Sequence, residues 1–167
     1  MNRQITLGRP LLPRFSASKV TIRLPRPWKN AAESVGMERS AKALMRVLIA
    51  DDQKGVGTTL AALVVECDHE VVEVVGSGFE AIQAFHRLQP DVVLMDYFMP
   101  RLNGATACRN IISRYPEANV IIVTAVAEAE DLRNSGAIAI LKKPVELTKL
   151  KNVLDRCSSL KAETSAS

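Results

Sequence analysis

Four apolar runs in this chain end in polar side chains of different chemistry. Asp51 and Asp52 follow Val47-Leu48-Ile49-Ala50, and Asp96 closes Val92-Val93-Leu94-Met95. Thr124 closes Val120-Ile121-Ile122-Val123, and Lys143 comes just after Ile138-Ala139-Ile140-Leu141. Carboxylates can hold a hard divalent cation, and a carboxylate can act as a weak nucleophile. A hydroxyl can donate to an anion, and an ammonium can pair with one carboxylate and then move to another charge. Three carboxylates gathered in one pocket repel by several kcal/mol at a low effective dielectric, as an order-of-magnitude figure. Such a pocket needs a proton or a cation. The set suits phosphoryl transfer, which is mostly positioning plus charge neutralisation.

These groups need a frame that brings them together. The β-branched runs read as buried parallel strands. Pro100 and Asn103-Gly104 mark a loop after Asp96. Strands are expected at 46–50, 70–75, 91–95, 119–124 and 138–141, and helices at 55–67, 78–88, 104–115, 127–135 and 146–159. Val56, Leu60, Leu63, Val64 and Cys67 share one face of the first helix; Leu147, Leu150, Val153, Leu154 and Cys157 share one face of the last. Ser77-Gly78 and Asn103-Gly104 fit helix starts, and Gly136 fits a helix exit. Strand alternating with helix implies an α/β fold with a parallel sheet and right-handed crossovers. Open sheets of this kind place their ligand sites at the C-terminal edge, where all the polar groups named above would lie. Chain order alone leaves the strand order open.

The acidic pair, Asp96-x-x-Met99-Pro100-x-x-x-Gly104, Thr124-Ala125 and Lys143-Pro144, in that order, resemble the receiver domain of two-component response regulators. The resemblance covers roughly Arg46 to Ser159. It implies a flavodoxin-like, doubly wound five-stranded sheet of order 2-1-3-4-5, with helices on both faces. It implies that Asp96 accepts a phosphoryl group from a sensor histidine kinase or a histidine phosphotransfer protein. Mg²⁺ would be held by Asp96, by Asp52 directly, by Asp51 largely through water, and by the Phe98 backbone carbonyl. Thr124 would read the phosphate and Lys143 would bind it. The family has a cis peptide before this Pro. Two departures stand out. Ile140 occupies the place of a switching aromatic, three positions before Lys143, and an inward Ile there would simply pack with the core. The stretch from Thr124 to Lys143 is also short, which trims the fourth helix.

Singly, each signal has an ordinary reading. An acidic pair at a strand end commonly caps a helix, Lys142-Lys143 commonly faces solvent, and a strand-end Thr is unremarked. Together and in order they favour the phosphoacceptor. Lys54-Gly55-Val56-Gly57-Thr58-Thr59 superficially resembles a nucleotide loop but lacks the Lys before Ser/Thr and the full Gly spacing. A haloacid-dehalogenase-type phosphatase would want a second Asp where Phe98 stands. The remaining alternative is a non-phosphorylated pseudo-receiver that serves as a scaffold.

Of the 167 residues, 47% are hydrophobic, enough for a full core, yet no apolar run approaches the ~18 residues a membrane span needs. Residues 1–45 hold 9 Lys/Arg and 2 Asp/Glu, whereas residues 46–167 hold 13 and 16. The basic balance belongs to the N-terminal segment, so direct DNA binding by the globular part is not expected. Residues 1–44, with Pro10, Pro13, Pro25 and Pro27 and no periodicity, read as a disordered or non-native arm, with a targeting peptide or binding arm as alternatives. A short helix around Ala31–Leu44 is compatible with the pattern. The domain is expected over 45–160, with a disordered tail at 161–167. Cys67, Cys108 and Cys157 are scattered and fit reduced thiols in a cytoplasmic protein. The expectation is a stand-alone receiver that meets a downstream protein through its 125–159 face, with no membrane contact. No enzymatic activity is expected beyond Mg²⁺-dependent self-phosphorylation and slow autodephosphorylation.

Overall fold

The structure, a computed structural model, describes residues 43–126 and 130–165. The chain divides between Glu38 and Arg39, and the described residues belong to the C-terminal unit. Residues 1–42 of the expected arm, with that part of its short helix, and the last two residues of the expected tail lie outside the described residues.

Strands and helices alternate: β1 Arg46–Ala50, α1 Lys54–Glu66, β2 Glu70–Val75, α2 Gly78–Leu88, β3 Val92–Asp96, α3 Gly104–Arg114, β4 Asn119–Thr124, α4 Glu130–Arg133, β5 Ala139–Lys142 and α5 Leu147–Ser165. All pairings are parallel, in the order β2-β1-β3-β4-β5. This is the α/β, flavodoxin-like doubly wound sheet implied by the resemblance.

Alternation along the strands builds two cores. Leu48 and Ala50 of β1 and Val93 and Met95 of β3 face a layer with Phe85 of α2, Ile111 of α3 and Leu132 of α4. Val47, Ile49, Val92 and Leu94 face the other side, against Leu60 and Val64 of α1 and Leu150 and Leu154 of α5. Burying one such Leu or Ile contributes roughly 2 kcal/mol. Helix starts follow local chemistry. Ser77 Oγ accepts from the Glu80 N–H at 3.2 Å, and Glu80 Oε2 accepts from the Gly76 N–H at 3.0 Å. Asn103 Oδ1 accepts from the Thr106 N–H at 2.8 Å and starts α3. Gly136, at φ +79°, follows α4 in the left-handed region that suits glycine.

Two elements differ from expectation. The described part of the fourth helix is only Glu130–Arg133, and residues 127–129 of the expected span lie outside the described residues. The last helix does not stop at 159: it runs to Ser165, through most of the expected disordered tail. Lys161 Nζ pairs with Asp91 Oδ2 at 2.7 Å, which anchors that extension to the sheet.

Candidate functional site

The parallel sheet delivers each expected group to one edge. Asp51 follows β1, and its N–H is held by the Val75 carbonyl at 3.0 Å. Asp96 is the last residue of β3 and Thr124 the last of β4. The Lys143 N–H, one residue past β5, donates to the Thr124 carbonyl at 2.7 Å. The Lys143–Pro144 bond is cis.

The side chains converge as well. Asp51, Asp52 and Asp96 each offer a carboxylate oxygen, all within 4.8 Å of one another. Lys143 Nζ bridges two of them, 2.9 Å from Asp51 Oδ2 and 2.9 Å from Asp96 Oδ1. Asp51 Oδ1 accepts from the Gln53 N–H at 2.9 Å, so both its oxygens are engaged. Asp52 is exposed at the rim. Asp96 is 1% exposed, and its Oδ2 is buried without a hydrogen-bond partner among the described residues. Thr124 is fully buried, and its Oγ1 accepts from the Val126 N–H at 3.1 Å. The Phe98 ring is 55% exposed and stands edge-on to Tyr97, so its side chain lies outside the acidic cluster.

The electrostatics follow from this crowding. Burial pushes the Asp96 carboxyl above its usual range; the Lys143 hydrogen bond and charge pull it down, Asp51 pushes it up, and the Phe98 N–H lowers it. Burial pulls Lys143 down, but the hydrogen bonds it donates to Asp51 and Asp96, and their charges, outweigh it and hold it above the usual lysine value. Lys143 is therefore an ammonium at neutral pH. One ammonium cannot balance three carboxylates; each unscreened pair near 4.8 Å costs roughly 3 kcal/mol at an effective dielectric of ~20. An all-oxygen donor set, two uncompensated negative charges and an unpartnered buried oxygen fit a hard divalent cation.

Gly104 makes the turn out of the site. A Cβ there would lie 2.1 Å from the Asp96 carbonyl oxygen, so the loop after the acid closes only around glycine. The stretch resembling a nucleotide loop is instead the start of α1, where the hydroxyls of Thr58 and Thr59 bond back to the carbonyls of Lys54 and Gly55.

Residues 47–155 match the model of the response regulator receiver domain. The chain belongs to that family. Chemotaxis protein CheY of Listeria monocytogenes is 28% identical over 118 residues, covering 69% of this chain and 99% of that protein. Protein-glutamate methylesterase/protein-glutamine glutaminase 4 of Geobacter metallireducens is 35% identical over 108 residues, covering 60% of this chain and 31% of that protein. The chain thus spans about a third of the length of the methylesterase relatives it matches. Among solved structures, the response regulator domain of Thermotoga maritima CheB superposes with a TM-score of 0.62 at 26% identity, covering 70% of this chain and 98% of that one.

Sequence reasoning did not foresee one contact. Tyr97 Oη, on the residue after Asp96, donates to Asp131 of α4, 2.8 Å from Oδ1 and 3.0 Å from Oδ2. Nothing in the sequence links positions 34 apart, and no pattern pointed to Asp131.

Proposed function

We propose that this receiver takes a phosphoryl group on Asp96 from a phosphohistidine of a sensor kinase or histidine phosphotransfer protein. The observation that carries this reading is the buried Asp96, whose Oδ1 pairs with the Lys143 ammonium, whose Oδ2 has no partner among the described residues, and which lies beside two further carboxylates. An Asp96 oxygen attacks phosphorus as the N–P bond breaks. The electron pair of that bond goes to the imidazole nitrogen, which takes a proton from solvent. Asp52 would hold Mg²⁺ directly, with Asp96 and the Phe98 carbonyl, and Asp51 would hold it largely through water. Bound there, Mg²⁺ supplies charge neutralisation at the phosphoryl oxygens. Lys143 moves from its bridge between the two aspartates to the phosphoryl oxygens. The Thr124 hydroxyl donates to one of them.

We read the chain as a stand-alone receiver acting in the cytoplasm, either as a phosphorylation-controlled binding module or as an intermediate in a phosphorelay. The chemotaxis relative, matched over 99% of its own length, supports a receiver as a complete protein. Its output would be a changed surface over 125–159, met by a downstream protein.

Acetyl phosphate and Mg²⁺ test the reading. Intact mass should rise by about 80 Da, one phosphoryl group. The adduct should map to Asp96 and be absent in excess chelator. An unmodified chain would leave the scaffold alternative standing, and labelling in chelator would sink the metal assignment.

A further inference from the structure

The acceptor loop and α4 are joined by a side chain that the phosphoryl chemistry does not use. Tyr97 is fixed through its backbone on both sides: its N–H donates to the Val123 carbonyl at 2.9 Å, and its carbonyl accepts from the Gly104 N–H at 2.9 Å. A change at Asp96 therefore reaches the Tyr97 ring more readily than the Tyr97 backbone. The ring is half-buried, and its hydroxyl reaches both oxygens of Asp131. Among the described residues, no other side chain of the 97–103 loop hydrogen-bonds to α4. The described part of α4 is Glu130–Arg133. It rests on the buried Leu132, on a 3.4 Å contact from Arg109 to the Asp131 carbonyl, and on Tyr97. Ile140, on β5, points outward at 41% exposure, so that strand supplies no ring to couple the two regions.

We propose that the Tyr97–Asp131 hydrogen bond is a latch that holds α4 in its resting place, and that phosphorylation of Asp96 releases it. The proposal rests on Asp96 being the acceptor. Relative to the resting site with Mg²⁺ already bound, a phosphoryl group adds up to about two negative charges on the residue before Tyr97, and Lys143 is drawn toward them. The acceptor of the Tyr97 hydroxyl is itself a carboxylate, so the added charge disfavours keeping Asp131 close. Hydrogen bonding to Asp131 raises the phenol above its usual value, with burial and the Asp131 charge adding to it. Tyr97 stays a neutral donor, and what changes is the position of its acceptor.

Hydrogen exchange over 130–138 in the full chain tests the latch, in Mg²⁺ throughout, with and without beryllofluoride. A hydrogen bond to a charged acceptor is worth about tenfold in a local opening equilibrium. Resting Tyr97→Phe should therefore exchange about tenfold faster there than the resting wild type. Wild type should speed up similarly with beryllofluoride, and the variant should gain little. Asp131→Asn keeps an oxygen acceptor and should fall between. Tyr97→Phe should still take acetyl phosphate to the wild-type stoichiometry. Equal resting exchange in wild type and Tyr97→Phe would overturn the latch, as would loss of labelling in that variant. A labelled wild type with unchanged exchange counts against the latch alone. An unlabelled wild type counts against the acceptor, and the latch falls with it.

Discussion

Strand β3 has an aspartate at each end, and the two are treated in opposite ways. Asp91, just before the strand, has its Oδ2 satisfied by the Arg46 N–H at 2.7 Å and by Lys161 Nζ at 2.7 Å. Asp96, at the other end, shares one ammonium with Asp51, lies near Asp52, and keeps an oxygen with no partner. One edge of the sheet uses charge to tie elements together. The other gathers like charge and leaves it underbonded. An arrangement that works against folding persists where a ligand is to be received.

The largest expected effect separates the two ends outright. Asp96→Asn should take up no phosphoryl group, whereas Asp91→Asn should be labelled like the wild type. Stability should move the other way. Asp96 has a raised pKa in the folded chain, so its contribution to stability is lost as pH rises from 3.8 through that raised value. Above that raised value the ionised group therefore works against the fold. Asp96→Asn should melt a few degrees higher than wild type, a shift of about 1 kcal/mol at this size. Asp91→Asn should melt lower by a similar amount, because it weakens a charged acceptor of two donors. Opposite melting shifts without opposite labelling would break the comparison.

Gly104 sharpens it. Gly104→Ala puts a methyl 2.1 Å from the Asp96 carbonyl oxygen, a contact the backbone must move to relieve. A loss of about 3 kcal/mol, with weakened labelling, is expected in denaturant unfolding. Gly55, in the first turn of α1, has nothing within 4 Å of its would-be Cβ. Gly55→Ala should stabilise by up to about 1 kcal/mol. Equal effects at the two glycines would mean that the loop after Asp96 is not tightly closed.

The pH dependence gives a smaller, signed test. With metal removed by chelator, the gain in melting temperature of Asp96→Asn over wild type should be widest above the raised pKa of Asp96. It should close as pH falls through the raised pKa of Asp96, because the wild type then protonates the same group. A gap that is constant with pH would mean the stability difference has another origin.

Much of this edge was legible because its signals are local. A β-branched run ending in Asp96, followed by Pro100 and Asn103-Gly104, states strand, acid and loop within a dozen or so residues, and four such strings in order state the sheet edge. Side-chain partners across the fold were not legible. Lys143 was expected beside Asp96, but its bridge to Asp51 depends on how far β1 and β5 lie apart in the finished sheet. The inward packing considered for Ile140 did not occur: at 41% exposure it faces out, on the edge strand β5. The continuation of α5 past Ser159 was hidden because the segment is polar and carries no periodic apolar face. What anchors it is Asp91, 70 residues away in the chain.

The smallest expected effect concerns the edge that holds Asp91. Met45 belongs to the domain: it is 1% exposed, its carbonyl accepts from the Glu70 N–H at 3.0 Å, and its N–H donates to His69 Nδ1 at 3.3 Å. A chain beginning at Met45 keeps the side chain and the carbonyl, and its terminal ammonium can still donate to His69. Among the described residues it loses the bond from Ser158 Oγ to the Ala43 carbonyl, at 3.0 Å, and the exposed Leu44. One such bond is worth about 1 kcal/mol. The shortened chain should therefore melt only slightly lower and take acetyl phosphate to the same extent, because no group at the acidic edge depends on Ala43. A loss beyond about 3 kcal/mol would show that residues before Met45 pack on the domain. A fall in labelling would show that the two ends of β3 are coupled, which is the outcome their separate hydrogen-bonding argues against.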